Sequence, residues 1–348
     1  EPYGVVGCII PWNYPLSLMG WKLAPALAAG NTIIMKPSEI TSTSLLHWAE
    51  IVGDIMPPGV LNVITGYGAE AGEEIVKHPS IPVITFTGSV KTGKRIAMHA
   101  AENLKKVSLE LGGKDPAIIC DDADIDVAAK GTSWGALVNS GQVCTSIERV
   151  YVFSNVADRF TESLVEESKK VKLGDPMDAD TDLGPMASKA QLKNTLEKVA
   201  LAKEEGARLL TGGHRPQEFD RGYFFSPTIF DRVRPDMEIV TEESFSPVIP
   251  VQKVDSLDEA IQMSNATKYG LGCTIFTKDI ERAMNAADKI KSGTVCINSP
   301  LMENIAAPFG GMKQSGIGRE HGIDALDEFR EAKHIYIDYE HNKKSWWF

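Results

Sequence analysis

The protein has 348 residues, 43% of them hydrophobic and 24% charged, which is enough for a large core and predicts two domains. Its net charge of −11 argues against nucleic acids and anionic membranes as partners, because both prefer basic surfaces. No apolar run approaches the length of a transmembrane helix. The five cysteines lack the spacing of a disulfide scaffold, so free thiols in a reducing, cytoplasmic location are expected. The seven histidines lack the spacing of metal ligands, so no metal site is expected.

The first third of the chain alternates short β-branched runs with amphipathic segments. The predicted strands are residues 5–10, 32–36, 61–64, 83–86 and 106–110, and the predicted helices are residues 18–29, 42–55, 69–77 and 92–100. Strands this apolar are typical of a parallel sheet covered by helices on both faces. The expected helix caps are Thr41 or Ser42 and Ser89 or Thr92 at the N-terminal ends, with Gly30 and Gly53 at the C-terminal ends.

The same alternation continues after Gly112-Gly113, the most natural hinge between two α/β domains. Further strands are predicted at residues 117–120, 150–153, 248–251, 274–276 and 294–297, with helices at 156–171 and 189–205. Residues 174–185 and 212–222 are rich in turn formers and predict surface loops. Residues 334–338 alternate as an isolated strand before Trp346-Trp347-Phe348, which indicates pairing with a second subunit or, alternatively, docking on the same chain.

Cys144 is the candidate nucleophile. It lies in the small, polar segment Asn139-Ser140-Gly141-Gln142-Val143-Cys144-Thr145-Ser146, and Glu110 ends a predicted strand 34 positions upstream. Cysteine reacts as the thiolate and needs a partner that manages protons, so this pair predicts a nucleophile and a base. The alternative is a buried structural thiol. The other four cysteines fit that alternative, since each lies in an apolar, strand-like run: Cys8, Cys120, Cys273 and Cys296.

Two glycine-rich turns compete as a nucleotide site. Gly66 begins a turn that reaches Gly72, and Gly88 begins a turn that reaches Gly93; each joins a predicted strand to a helix. The second offers close backbone approach and a helix N-terminus suited to a pyrophosphate, although such turns are common in α/β folds.

Lys36-Pro37-Ser38-Glu39 ends another strand, at the edge where open parallel sheets hold ligands. Glu39 could accept hydrogen bonds from ribose hydroxyls and would repel a 2′-phosphate. A solvated Lys–Glu pair is the alternative.

Together these segments resemble the non-acylating, NAD(P)-dependent branch of the aldehyde dehydrogenase superfamily, in order, from residue 1 to about residue 338. The resemblance rests on seven motifs: Pro11-Trp12-Asn13-Tyr14-Pro15, Lys36-Pro37-Ser38-Glu39, Phe86-Thr87-Gly88-Ser89, Leu109-Glu110-Leu111-Gly112-Gly113-Lys114, Gly141-Gln142-Val143-Cys144, Glu242-Glu243-Ser244-Phe245-Ser246-Pro247 and Pro308-Phe309-Gly310-Gly311. It implies a Rossmann-like coenzyme domain at 1–112, a second α/β catalytic domain at 113–330 and a C-terminal oligomerisation strand and tail at 331–348.

The resemblance also assigns roles. Cys144 would attack an aldehyde, Asn13 would stabilise the oxyanion, and Glu110 would be the general base for hydrolysis of the thioester. The implied cofactor is NAD, with NADP as a second option, held by Ile10, Pro11, Trp12, Lys36, Ser38, Glu39, Gly66, Phe86, Gly88, Ser89, Gly93, Leu111, Gly112, Glu243 and Phe245. The implied substrate tunnel comprises Tyr14, Leu18, Trp21, Val138, Val143, Thr145, Leu301, Glu303 and Phe309. Lys22 and Glu320 would form a proton path, although helical spacing alone would place both in solvent.

Three questions stay open at this level. The first concerns the substrate: Glu303 would favour a cationic aldehyde if its side chain faces the tunnel, and the alternative is that it points to solvent. The segment Glu148-Arg149-Val150-Tyr151-Val152 is also similar to lactaldehyde-type members. Family members carry a further N-terminal segment, so the chain resembles one that lacks it. The resemblance implies a homodimer or homotetramer, and a truncated or inactive protein of this fold, with a nucleotide-binding or structural role, is the alternative function.

Overall fold

A computed structural model describes residues 1–340 and 342–347 and contains two β-sheets with helices packed on them. The first sheet has the order β13-β5-β4-β1-β2-β3, and its strands are parallel except for the antiparallel edge strand β13. Its strands are β1 (Val5–Ile9), β2 (Thr32–Lys36), β3 (Leu61–Val63), β4 (Val83–Thr87), β5 (Lys106–Glu110) and β13 (Gly316–Ile317). The helices in this part of the chain are α1 (Pro15–Ala28), α2 (Ser42–Val52), α3 (Glu73–Lys77) and α4 (Val90–Ala101).

The second sheet has the order β12-β11-β6-β7-β10-β9-β8 and is parallel except for the β8–β9 pair. Its strands are β6 (Asp115–Ile119), β7 (Ile147–Phe153), β8 (Arg208–Thr211), β9 (Thr228–Asp231), β10 (Val248–Val254), β11 (Gly272–Phe276) and β12 (Thr294–Ile297). The accompanying helices are α5 (Ile125–Leu137), α6 (Ala157–Lys169), α7 (Lys189–Glu204), α8 (Glu238–Thr241), α9 (Leu257–Asn265) and α10 (Ile280–Lys289). The short helix α11 (Asp324–Asp327) packs against α1 instead.

The core explains why the apolar runs form parallel strands. Every residue of β4, β6, β7 and β11 is buried, as expected when helices cover both faces of a sheet. Side-chain caps begin several helices: Ser89 accepts a hydrogen bond from the Thr92 N–H at α4, and Asp124 caps α5 in the same way. The α/β fold class predicted from the sequence is confirmed.

Several local predictions need correction. The predicted helix 69–77 is a π-helical turn, Gly68–Gly72, that leads into α3. Helix α2 ends at Val52, and the next residue, Gly53, has φ of −57°, so it is not a left-handed C-terminal cap as predicted. Gly30, with φ of +87°, does adopt the left-handed conformation expected of such a cap. Thr41 precedes α2 without a side-chain cap hydrogen bond.

The chain after α11 first runs beside the N-terminus. Arg330 bridges to Pro2, and the N–H of Glu331 donates to the carbonyl of Glu1 at 2.8 Å. Residues 334–338 were predicted as a strand, but no strand is formed there in the part of the chain that the structure describes. A strand requires a hydrogen-bonded neighbour, and Ile335 and Ile337 are instead exposed. Trp346 and Trp347 are also exposed, and Phe348 lies outside the described residues.

Candidate active site

Loops at one edge of each sheet meet to form the candidate site. From the first sheet, segments that follow the carboxyl ends of β1, β2, β4 and β5 contribute, as open parallel sheets generally arrange their ligand sites. From the second sheet, segments that precede β6, β7 and β10 contribute. The N–H of Gly88 donates to the carbonyl of Glu110 at 3.0 Å, which ties the turn after β4 to the end of β5.

Cys144 follows a strained turn between α5 and β7. Asn139, Ser140 and Gly141 have consecutive positive φ values of 52°, 58° and 68°, a conformation that non-glycine residues adopt only when their surroundings hold it. The Ser140 hydroxyl donates to the carbonyl of Gly184 at 2.7 Å, and Gln142 Oε1 accepts from the N–H of Ala187 at 2.9 Å. The thiol, half-buried and bordering a cavity, is therefore presented by a fixed loop rather than packed in the core.

Asn13 is joined to that loop in both directions. Its Nδ2 donates to the carbonyl of Gln142 at 3.1 Å, and Nδ2 of Asn139 donates to the carbonyl of Asn13 at 3.1 Å. A side-chain amide has two hydrogens, so one remains for a further acceptor. Asn13 and Cys144 line the same cavity of about 280 Å³.

The thiol of Cys144 is surrounded by carboxylates. Burial raises its pKa well above the ordinary value for cysteine, and the charges of Asp115 and Glu110 raise it further. The neutral thiol therefore predominates in the chain alone, and formation of the nucleophile requires a base. Asp115, which the sequence analysis did not single out, is itself buried, and burial raises its pKa to about 7.

Glu110 is buried at the end of β5. Both of its carboxyl oxygens lack a hydrogen-bond partner among residues 1–340 and 342–347. Burial raises the pKa of this carboxyl well above its usual range; the charge of Glu320 adds to the effect and that of Lys22 opposes it. A carboxyl group whose pKa is raised takes up a proton more readily than an ordinary one, which is the property that a general base needs.

Lys22 and Glu320 form a buried ion pair near Glu110. Lys22 is 0% exposed and Glu320 is 4% exposed, so the alternative that helical spacing would place both in solvent is wrong. One oxygen of Glu320 remains without a hydrogen-bond partner among the described residues. Among the described residues Glu110 makes no hydrogen bond to this pair, but the charges of Lys22 and Glu320 both act on its carboxyl group.

A second cavity of about 400 Å³ continues from the first. The two cavities share Pro11, Trp12, Thr87, Gly88 and Ser89. The second runs past the N-terminus of α4 to the segment after β2. Together they form an extended cleft that connects Cys144 with Glu39.

Thirteen of the fifteen residues predicted to hold the cofactor line this cleft. The second cavity contains Ile10, Pro11, Trp12, Lys36, Ser38, Glu39, Phe86, Gly88 and Ser89, and the first adds Leu111, Gly112, Glu243 and Phe245. Gly66 and Gly93 do not line it. A Cβ on Gly93 would be 2.5 Å from the Leu111 side chain, so Gly93 allows α4 to pack closely on the first sheet. The sequence analysis missed other lining residues, among them Gly68, Gly72, Arg95, Gln191 and Asn194.

Lys36 is not part of a solvated pair. It is 2% exposed, donates to the carbonyl of Pro37 at 2.9 Å and lies 3.8 Å from Glu39 Oε2. Burial lowers its pKa, and the charge of Glu39 partly opposes that shift. Glu39 is exposed at the cleft, where its carboxylate is free to accept hydrogen bonds.

The predicted tunnel residues differ in their surroundings. Leu18, Val143 and Phe309 are buried, and Trp21 packs edge-on against Phe309 with ring centroids 5.1 Å apart. Tyr14, Val138, Thr145 and Leu301 are half-buried. Glu303 lies in an exposed loop, yet its charge contributes to the raised pKa of Tyr14, after burial and the charge of Cys144. His321, which the sequence analysis missed, packs against Trp21 at 4.1 Å between centroids.

Comparison with known proteins identifies the family. The model of the aldehyde dehydrogenase family matches residues 1–335. The chain belongs to this family. It is 44% identical over 349 residues to a chloroplastic aminoaldehyde dehydrogenase of Arabidopsis thaliana, covering 100% of this chain and 70% of that relative. It is 45% identical to retinaldehyde dehydrogenase 3 of Mus musculus over 342 residues, covering 98% of this chain and 66% of the relative.

Solved aldehyde dehydrogenase structures share the fold. A betaine aldehyde dehydrogenase from Staphylococcus aureus, crystallised with NAD+, matches with a TM-score of 0.97 at 42% identity, covering 100% of this chain and 69% of that one. An aldehyde dehydrogenase from Bacillus cereus matches with a TM-score of 0.95 at 45% identity, covering 97% and 68%. This aldehyde dehydrogenase chain therefore spans about 70% of the length of such relatives. Within its described residues, no helix is both long and apolar enough to cross a membrane.

Proposed function

We propose that this aldehyde dehydrogenase oxidises a small aldehyde to the carboxylic acid with NAD as cofactor, through a covalent intermediate on Cys144. The observation that supports it most is the continuous cleft, which has Cys144 at one end and Lys36, Ser38 and Glu39 at the other. A nucleophile at the end of a nucleotide-sized cleft suits a reaction between a small carbonyl compound and a dinucleotide.

The proposed chemistry begins at the thiol. Cys144 Sγ, after losing its proton, attacks the carbonyl carbon and forms a thiohemiacetal. Asn13 Nδ2 and the Cys144 N–H donate to the oxyanion, a type of contact whose removal costs about 10²–10³ in rate. The cofactor, when bound, accepts the hydride that leaves the aldehyde carbon. The resulting thioester on Cys144 is cleaved by water that Glu110 deprotonates, which releases the acid and regenerates the thiol.

Proton removal from Glu110 is the role we assign to the Lys22–Glu320 pair. Glu110 gains a proton in each turnover, and its burial closes it to direct exchange with solvent. The neighbouring buried carboxyl and ammonium groups offer a route by which that proton leaves.

The cleft also fits NAD by its chemistry. Lys36 and Glu39 can bond ribose hydroxyls, and the Glu39 carboxylate disfavours the 2′-phosphate of NADP. Ser89 is the N-cap of the twelve-residue helix α4, whose N-terminus suits a pyrophosphate. Glu243 and Phe245 border the end of the cleft nearest Cys144 and would hold the nicotinamide ribose and ring.

The test is NADH absorbance with a panel of short aldehydes, for the wild type and for Cys144→Ala. Cys296→Ser is the matched control, since this half-buried thiol lies outside the cleft lining. We expect turnover in the wild type and the control and none in Cys144→Ala. NAD binding without turnover in the wild type would favour the alternative, a nucleotide-binding protein of this fold.

For the substrate class we propose a cationic aldehyde. Glu303 is near enough to Tyr14 and Cys144 to raise the pKa of both, and Tyr14 and Trp21 offer aromatic faces to a cation. Relatives include aminoaldehyde and betaine aldehyde dehydrogenases. Glu303→Gln should raise KM for trimethylammonio-aldehydes about three- to tenfold and leave KM for neutral aldehydes unchanged. Equal changes for both classes would contradict the assignment.

We further propose that the chain is organised as a coenzyme domain at 1–112 and a catalytic domain at 113–330, with residues 331–348 bridging to another subunit in a homodimer or homotetramer. Three consecutive large apolar side chains are exposed in the tail, Ile335, Tyr336 and Ile337, and this supports a partner for it. Sedimentation of the chain with and without residues 334–348 tests this; an unchanged oligomeric state would contradict it.

A further inference from the structure

A buried ion pair outside the cleft lining holds the residues that border its inner end. Lys114 Nζ lies 2.7 Å from Glu148 Oε2, and the side chains are 0% and 3% exposed. Neither lines the two cavities of the cleft. The pair can therefore affect the cleft only through a neighbouring segment that does line it.

That neighbour is the 242–247 turn, the connection between α8 and β10 that carries Glu243 and Phe245. Glu148 Oε2 accepts a hydrogen bond from the Ser244 N–H at 2.6 Å, and Oε1 accepts one from the Phe245 N–H at 2.7 Å. Lys114 Nζ also donates to the Ser244 hydroxyl at 2.9 Å. The Glu148 carboxylate thus binds two successive backbone N–H groups of the turn, and its counter-ion Lys114 binds the Ser244 hydroxyl between them.

The turn needs such support. Phe245 has φ of +50°, a left-handed conformation that costs a non-glycine residue about 1–2 kcal/mol. Its ring packs edge-on against Trp12, with centroids 5.4 Å apart, at the wall of the cleft. Glu243 Oε1 accepts from the Gly113 N–H at 3.1 Å, next to Lys114 in sequence.

A bulge in the second sheet places Glu148 for this contact. In the β6–β7 pairing, Asp115 is opposite Ile147 and Pro116 is opposite Arg149, so the register skips Glu148. Bulges often redirect a side chain beside a functional site, and proline, which lacks an N–H, interrupts a ladder at this point. Arg149 holds the backbone of Lys114, the partner of Glu148 in the ion pair: its Nε donates to the Lys114 carbonyl at 2.7 Å.

We propose that Glu148, ion-paired with Lys114, is a positioning residue that sets the 242–247 turn in the conformation that binds the nicotinamide end of NAD. The proposal rests on the cofactor placement given above. Glu148 touches neither reactant in this account; its carboxylate acts by fixing the backbone from which Glu243 and Phe245 project.

Glu148→Gln tests it in the full chain. The amide has one acceptor oxygen for two N–H donors and leaves the Lys114 charge buried without its counter-ion. Ser244→Ala is a milder variant that removes only the lysine contact. Asp231→Asn is the control, because it breaks an exposed ion pair with Arg208 on the same sheet, away from the cleft.

Two readouts are measured. The first is the dissociation constant for NAD, from tryptophan fluorescence of Trp12 and its neighbours. The second is amide hydrogen exchange of residues 242–247 without cofactor. We expect Glu148→Gln to weaken NAD binding about ten- to a hundredfold and to speed exchange at Ser244 and Phe245 about tenfold, with Ser244→Ala intermediate and Asp231→Asn unchanged.

The outcomes separate the two proposals. Normal NAD affinity in a folded Glu148→Gln variant overturns the positioning role, whatever the exchange rates. If that variant does not fold, unchanged NAD affinity in Ser244→Ala overturns it. A wild-type chain that does not bind NAD overturns the cofactor placement and this inference together, whereas binding to the wild type with loss in the variants supports both.

Discussion

The carboxylate of Glu243 lies directly over the backbone of Gly112: a Cβ on Gly112 would be 2.4 Å from Glu243 Oε2. A carbon and an oxygen that are not bonded do not approach this closely, so the glycine leaves open the space that the Glu243 carboxylate occupies. The two residues come from different sheets, one after β5 and the other before β10. The N–H of the next residue, Gly113, donates to Glu243 Oε1 at 3.1 Å, so the two segments meet at this point of the cleft.

Gly112→Ala should therefore displace Glu243 and weaken NAD binding about tenfold while leaving the chain folded. Gly20→Ala is the matched control, because a Cβ there meets nothing within 4 Å. Isothermal titration with NAD measures the effect. If both variants bind NAD as the wild type does, Glu243 is not required in its observed position.

Glu110 should show opposite pH effects on activity and stability. As a base it must be ionised, so thioester hydrolysis should increase as pH rises through its raised pKa. For stability, the folded state holds the proton more tightly than the unfolded chain, so this contribution is fully present below the unfolded pKa of about 4.3 and is lost as pH rises through the folded pKa.

Glu110→Gln removes both effects. Thioester hydrolysis should fall about 10²–10⁴-fold, and the stability difference from wild type should shift in favour of the variant as pH rises from about 4 to 8. Burst kinetics measure the rate of thioester hydrolysis, and urea unfolding at several pH values measures the stability difference. A pH-independent stability difference would show that Glu110 has an ordinary pKa.

Removing one partner of the Lys22–Glu320 pair should lower the free energy of unfolding strongly, whereas replacing both partners together should lower it little. Glu320→Gln leaves a buried ammonium without its counter-ion, which typically destabilises by about 3–5 kcal/mol. Lys22→Met with Glu320→Leu replaces the pair by apolar side chains of similar size and should recover most of that loss. Urea unfolding compares the three proteins; equal destabilisation of both variants would argue against a coupled pair.

Cofactor choice should respond to Glu39. Replacing it by serine removes the charge that opposes a 2′-phosphate, so the ratio of kcat/KM for NADP to that for NAD should rise about tenfold. Glu50→Ala, an exposed position on α2, is the control. An unchanged ratio would place the 2′-position of the ribose away from Glu39.

Much of this architecture could be predicted from the sequence because its signals are local. Short apolar runs predict most of the strands, and the cysteine in a small, polar segment predicts the proposed nucleophile. What escaped prediction depends on register and packing. Glu148 lies just before the predicted strand 150–153, and only the bulge, where the register skips it between Ile147 and Arg149, brings its carboxylate to Ser244. The family resemblance implied Gly66 at the cofactor, but the π-helical turn brings Gly68 and Gly72 to the cleft instead.

The burial of Lys22 and Glu320 could not be predicted from local sequence. Helix α1 carries Lys22 with buried neighbours Leu18 and Leu23, and its partner lies 298 positions later in the chain. Charge and helical spacing favour a solvent position for each taken alone. Only the meeting of two distant segments makes burial of both charges tolerable.

Strand β13 has a consequence for the order in which the protein forms during synthesis. Gly316 pairs with Glu110 and Ile317 with Leu109, so the edge of the first sheet beside Glu110 is made by a segment that leaves the ribosome about two hundred residues later. Until then β5 exposes an unpaired edge. During synthesis the parallel strands β1–β5 can therefore pair first, and Glu110 gains its surroundings at the ion pair of Lys22 and Glu320 only after residues 316–320 have been made.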